Sequence, residues 1–270
     1  MKQLTLLCLL ATSAIAQDGE YQVRWTSIML ANNRQAMGIP FFIGGRHSMA
    51  VDKPETVQHY RSQVFICLAQ KNYEEATSWM EKMASSYPKE HGFIGENYLS
   101  RLHDYPRALR HLQAYDALTA NFDDMIGNNP VSYLLGLTYR SLGDHPKAIY
   151  HFSVGIDSLA TKHGAEWVNY RHFVSRAISY IATSQAEKSL IDLDKAAKNY
   201  SRSALVAYHK GRAFQQLNRL TEARTAFQDA SFFYKALRAE RTGDYQEDND
   251  NPIYEEEIDE ALSQLKQSKL

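Results

Sequence analysis

The sequence predicts an all-α protein, a solenoid of stacked helical hairpins closed by a C-terminal capping helix. Three observations carry that reading. Glycine and proline number only 13 and 7 in 270 residues, too few for the many turns of an all-β chain. The strong helix formers alanine, leucine, glutamate, lysine, arginine and glutamine are plentiful. Small and aromatic residues recur at a regular interval along most of the chain, as they do where one structural unit is repeated. Hydrophobic residues make up 44%, enough for a core. The formal net charge of -1 announces neither nucleic acid nor a membrane surface as partner.

Residues 1–16 read as a signal peptide rather than as fold. Lys2 supplies a positive start, Leu4 to Leu10 is an apolar run too short to cross a bilayer, and Ala14-Ile15-Ala16 is a small-residue cleavage site. Cleavage is expected after Ala16, giving a secreted or periplasmic chain that begins at Gln17. Cys8 would leave with that segment. Cys67 then stands alone within Val64, Phe65, Cys67 and Leu68, where a thiol serves as a small buried hydrophobe. In 17–54, Trp25, Ile28 and Met29 suggest one amphipathic helix, and Gly38 to Gly45 reads as an apolar loop or short strand.

The array occupies 55–238, in about five units: 57–88, 89–122, 129–162, 170–203 and 204–237. The third is the clearest, with Leu135-Gly136, Tyr139, Leu142-Gly143-Asp144, Ala148, Phe152 and Gly155 in order. The fifth repeats it with Gly211, Phe214, Leu217, Asn218, Ala223, Phe227 and Ala230. Gly136 and Ala148 let two helices cross closely, aromatic side chains fill the space beside the crossing, and Gly143-Asp144 turns the chain between them. Ala76, Ala108, Ala148, Ser189 and Ala223 share one slot, at separations of 32, 40, 41 and 34. Ser189 replaces the usual alanine, and Ala182 to Ala186 makes an unusual turn. The two long intervals imply insertions near Asn121 to Pro130 and Leu159 to Glu166.

This pattern resembles the tetratricopeptide-repeat (TPR) family, whose period is about 34. The resemblance implies a right-handed superhelical α-solenoid, because one hairpin cannot bury its apolar face alone and neighbours must complete the core. It also implies a concave groove lined by the first helix of each unit. Carried over to this sequence, the groove positions are Arg61 and Phe65, then Phe93, Asn97 and Arg101, then Tyr133, Leu137 and Arg140, then Arg171 with Val174 and Ile178, and finally Tyr208, Arg212 and Gln215. Tyrosine and arginine suit a protein interface. Asn97 and Arg101 echo part of the family's carboxylate clamp, but Phe65 stands where that clamp needs asparagine.

After the array, 239–251 reads as an acidic linker and 252–270 as the capping helix. Asn251 can cap a helix that begins at Pro252, and Glu255, Glu256 and Glu257 favour its first turn. From Ala239 to Leu270 there are ten acidic and three basic residues, against 21 acidic and 27 basic before them. The run Asp244 to Asp250 is either a solvated linker or a segment that folds back toward groove arginines and competes with an acidic partner.

Nothing in the sequence carries catalysis. The ten histidines show no i, i+4 pair, and no phosphate loop, G-x-S-x-G or C-x-x-C is present. The chain is expected to need no cofactor and no metal, and to bind neither nucleic acid nor, after signal cleavage, the membrane interior. The resemblance implies a non-enzymatic scaffold, outside the cytoplasm, that holds a peptide or helix in its groove. Two alternatives are a structural subunit of a cell-envelope assembly, and an accessory or enzymatic protein of polysaccharide metabolism that uses the N-terminal region.

Overall fold

A computed structural model describes residues 56–120, 122–240 and 246–267. The signal segment, the 17–54 region and the start of the acidic run lie outside the described residues. The chain divides into two compact units, Met1–Tyr87 and Pro88–Leu270.

The described part of the N-terminal unit is one hairpin, α1 (Val57–Ala69) and α2 (Tyr73–Ser86). Thr56 and Asn72 cap the two helices through their side chains, supplying acceptors for amides that have no partner within the helix. Val64, Ala76, Met80 and Met83 are fully buried, and Cys67 is buried as well. Burial pushes the Cys67 thiol up, and the Glu75 charge adds to it, so this cysteine is a packing residue and a poor nucleophile.

Among its described residues the C-terminal unit holds four hairpins and a final helix. They are α3 (His91–Asn97) with α4 (Tyr105–Asp116), α5 (Val131–Ser141) with α6 (His145–His163), α7 (Tyr170–Ala182) with α8 (Ala186–Asn199), α9 (Ala204–Gln216) with α10 (Leu220–Glu240), and α11 (Glu255–Gln267). Each second helix also packs on the next first helix, α4 on α5, α6 on α7 and α8 on α9, while α11 packs on α10. This nearest-neighbour order defines an α-solenoid.

The hairpin turns share one device. Lys71, His103, Gly143, Ser184 and Asn218 all take left-handed backbone, with φ between 52° and 81°. The residue after each turns back on the helix. Asn72, Asp144, Gln185 and Arg219 donate their amides to Cys67, Tyr139, Tyr180 and Phe214, each five residues earlier, at 2.8–2.9 Å. That bond closes a helix end by satisfying a carbonyl the helix leaves open. In the α3/α4 hairpin Asp104 reaches six residues back to Tyr98, and a π-turn over Tyr98–Leu102 absorbs the extra residue.

The crossings explain the repeated small residues. A Cβ on Gly136 would lie 2.5 Å from the Phe152 ring, and one on Gly211 would lie 2.5 Å from the Phe227 ring. Both rings are fully buried, as are Ala148 and Ala223. The aromatic of the second helix therefore sits in the hole left by the glycine of the first. Arg176 ties three helices together. Its guanidinium forks onto Asp192 of α8 with two bonds of 2.7 Å and reaches Ser153 of α6 at 3.0 Å.

The long interval before α5 contains a two-residue antiparallel pair, Met125–Ile126 with Asn129–Pro130. It also brings Asp123 over the start of α5, where the carboxylate accepts from the Ser132 amide and hydroxyl. The second long interval appears as an extended α6 followed by a 3-10 turn at Ala165–Trp167.

At the C-terminus, α11 buries Ile258, Ala261 and Leu265 against the core that includes Phe227, Ala230 and Tyr234, and Arg224 donates to the Leu265 carbonyl. Its start differs from expectation. The helix begins at Glu255, where the Glu257 carboxylate accepts from the Tyr254 amide at 3.0 Å. Asn251 does not cap it, because that side chain is buried in a different network.

Candidate peptide-binding face

The first helices α5, α7 and α9 lie side by side, and Gln246 to Asn251 is laid across them as non-helical backbone. It passes from the start of α9, by the start of α7, to the end of α5. Glu247, Asp248 and Asn251 are buried, Asp248 to 2% exposure. This part of the acidic run is therefore a docked strap and not a solvated linker.

The buried side chains of the strap meet partners both on the helices and within the strap itself. The Glu247 carboxylate accepts from the Tyr170 hydroxyl at 3.0 Å, from the Ser203 hydroxyl, and from the Leu205 amide at 3.3 Å. Ser203 caps α9, so this carboxylate sits where the helix dipole favours an anion. The Glu247 carbonyl accepts from the Arg171 guanidinium, which also lies 3.9 Å from the Asp248 carboxylate. Asp248 accepts from the Asp250 amide at 3.1 Å and from the Asn251 side-chain amide at 2.6 Å. Asn251 donates in turn to the Ser175 hydroxyl at 3.0 Å. Arg140 closes the far end, donating to the Asn251 side-chain oxygen and, at 2.7 Å, to the Asp250 carbonyl.

The electrostatics follow from burying charge on one face. Burial pulls the Arg140 guanidinium below its usual value against the opposing charges of Asp250 and Asp248. Burial also lowers Arg171, but its bond to Tyr170 and the Asp248 charge outweigh this and leave it raised. Burial, and then the Asp250 charge, raise the Glu96 carboxyl of α3. His172, wedged with its ring 4.1 Å from that of Tyr133, falls to about 4, chiefly through burial. His209 falls to about 3, from burial first and the Arg212 and Arg140 charges second.

Of the groove positions expected from sequence, the structure gathers Tyr133, Arg140 and Arg171 into this network, Tyr133 through its hydroxyl 3.1 Å from Ser175. Leu137 and Val174 are core residues, and Ile178 packs partly against the core. Asn97 is also buried and donates to the Phe93 carbonyl at 2.8 Å, so it does not present its amide as a clamp residue would. Phe93 and Gln215 are half-buried, and Arg101 and Arg212 are exposed. Tyr208 is buried with its ring 5.7 Å from Phe227. Arg61 and Phe65 belong to α1 of the N-terminal unit.

Sequence reasoning missed Tyr170, Ser175 and Ser203. Ser203 could have been found as a helix cap, since it precedes the apolar run of α9. Nothing local marks Tyr170 or Ser175. Among the described residues no three or more potential metal ligands cluster, and no helix is long and apolar enough to cross a membrane.

Comparison with known proteins agrees with the class that the fold defines. Residues 174–236 match the family model described as tetratricopeptide repeat. No curated protein matches the chain in sequence. Among solved structures, a crystal structure of MamA protein superposes with a TM-score of 0.56 at 14% identity, covering 72% of this chain and all of that one. A MamA structure from Desulfovibrio magneticus RS-1, residue 41 to the end, gives 0.53 at 19% identity, covering 68% and 97%. At these identities the likeness is one of fold. With its repeated turn and its small-residue crossings, the chain is an α-solenoid that matches tetratricopeptide repeats over residues 174–236.

Proposed function

We propose that this chain is a non-enzymatic scaffold that holds an extended peptide or helix of a partner protein on its first-helix face, outside the cytoplasm. The observation that carries the reading is that this face already holds a peptide. Arg140 and Arg171 grip main-chain carbonyls of the strap, while Tyr170, Ser203 and Leu205 take a side-chain carboxylate. Contacts to main chain give hold, and pockets for individual side chains give choice, as in other peptide-binding proteins. The extracytoplasmic setting rests on the signal-like residues 1–16 and is tested by secreted material whose first residue is Gln17. The binding role is tested by quantitative affinity capture from envelope extract with the wild-type chain and with Arg140→Ala/Arg171→Ala. A partner whose recovery changes several-fold between the two supports the reading. Identical recovery of every captured protein refutes the face as the contact.

A further inference from the structure

The strap has the chemistry of a ligand held by the protein that carries it. We propose that the face formed by α5, α7 and α9 is a recognition site for an acidic peptide of another protein, and that Gln246–Asn251 is a tethered surrogate which must leave before that peptide binds. The proposal rests on the reading of this face as protein-binding and names its ligand class and its regulation.

Three features specify the ligand. The first is a glutamate pocket. Three donors from two helices, the Tyr170 hydroxyl, the Ser203 hydroxyl and the Leu205 amide, converge on one buried carboxylate. Among the described residues no lysine or arginine bonds to that carboxylate, so selection rests on direction and reach as well as charge. The second is an adjacent aspartate position, where Arg171 faces the Asp248 carboxylate. The third is a pair of grips on main chain, Arg171 on the Glu247 carbonyl and Arg140 on the Asp250 carbonyl. These grips read any backbone of the right path, so the face accepts a Glu-Asp stretch from a second chain as well as its own.

The strap is also suited to compete. Its partners on the helices lie 42 to 111 residues away in sequence, so its hold is tertiary and not part of a local turn. Asn249 and Asp250 are exposed, which gives an incoming peptide a place to begin displacement. A competitor tethered in the same chain acts at an effective concentration of about a millimolar. A free peptide of equal intrinsic affinity therefore binds the intact chain far more weakly than a chain whose strap is disabled.

The test uses the full chain and a fluorescein-labelled peptide, YQEDNDNPI, that copies residues 245–253, with binding read by fluorescence anisotropy. Glu247→Ala/Asp248→Ala, shown by circular dichroism to keep its helices, should bind the probe at least ten-fold more tightly than wild type. Adding Arg171→Ala to that variant should reverse the gain, and a probe with its Glu and both Asp changed to Gln and Asn should bind at least ten-fold more weakly. Where the double variant loses helicity, Asp248→Asn alone should still give about a three-fold gain. Equal binding to wild type and variant, or no binding to a folded variant, overturns the proposal. If the probe fails while Arg140→Ala/Arg171→Ala still changes capture of a partner, the surrogate-ligand idea falls and the binding face stands. If capture is also unchanged, the face itself is wrong.

Discussion

Replacing Gly211 with alanine tests the packing logic of the repeat at one atom. The new Cβ would lie 2.5, 2.6 and 2.8 Å from three carbons of the Phe227 ring, where carbon atoms prefer about 3.5–4.0 Å. Phe227 is fully buried, so its ring can move only if α9 and α10 separate by roughly an ångström, breaking van der Waals contact along the hairpin. Overpacking of this kind costs about 1–3 kcal/mol. The change from glycine to alanine inside a helix returns up to about 1 kcal/mol. The expected outcome is a net loss of about 1–2 kcal/mol, read from the urea midpoint at unchanged slope. A double-mutant cycle with Phe227→Leu isolates the clash, since the smaller side chain leaves room. In that background Gly211→Ala should cost nothing or stabilise. Stabilisation by Gly211→Ala in the wild-type chain would refute the close crossing, and the same cycle applies to Gly136 and Phe152.

Three further outcomes follow from buried polar groups. Ser189 is fully buried and its hydroxyl has no hydrogen-bond partner, so Ser189→Ala, which restores the small residue of the other units, should raise stability by about 1 kcal/mol in urea denaturation. Asp192→Ala should lower it by about 3 kcal/mol, because it strands the mostly buried Arg176 guanidinium, and Arg176→Met should restore most of that loss in the double variant. His172 is held at about 4 in the folded chain by burial, against about 6.5 when unfolded. A depressed folded value means the unfolded chain takes up the proton first. The stability associated with neutral His172 is therefore intact above pH 6.5 and lost as pH falls through 4, about 2 kcal/mol of it by pH 5. Denaturation of wild type and His172→Phe at pH 7.5 and pH 5 should show the smaller drop in the variant.

The repeat was legible because its determinants are local in kind and periodic in position. Gly136 with Phe152 and Gly211 with Phe227 each place a hole and a ring at the same spacing, and a pattern that recurs needs no knowledge of distant contacts. The turns were only partly legible. Gly143 announces left-handed backbone, but Lys71, His103, Ser184 and Asn218 adopt it too, held there by the bond that closes each preceding helix and not by their own preference. The groove list divided for a similar reason. Position within a first helix says which way a residue points, so Arg140 and Arg171 were named, and both meet the strap. It does not say how closely the neighbouring helix approaches, so Leu137 and Asn97 proved to be buried.

The strap shows where local rules lose. Asn251 before Pro252 satisfies every short-range criterion for a helix cap. In the fold its amide is taken by Ser175 and Asp248 and its oxygen by Arg140, which leaves the helix to start three residues later with a reciprocal contact from Glu257. The excess of acid after Ala239 pointed toward the basic groove, but charge alone cannot distinguish a solvated run from a docked one. The difference lies in the matched donors of Tyr170, Ser203 and Leu205, which only the assembled first helices bring together.

The docked strap is tested most directly by amide hydrogen exchange at Leu205. This amide lies in the first turn of α9, where no carbonyl of the helix can reach it; the first bond within that helix runs from Ala207 to Ser203, and the acceptor for Leu205 is the Glu247 carboxylate. Slow exchange at Leu205 in the wild-type chain, becoming fast in Glu247→Ala while Ala207 is unchanged, is the predicted result. Fast exchange at Leu205 in the wild-type chain would contradict the account, because the first-helix face would then be empty.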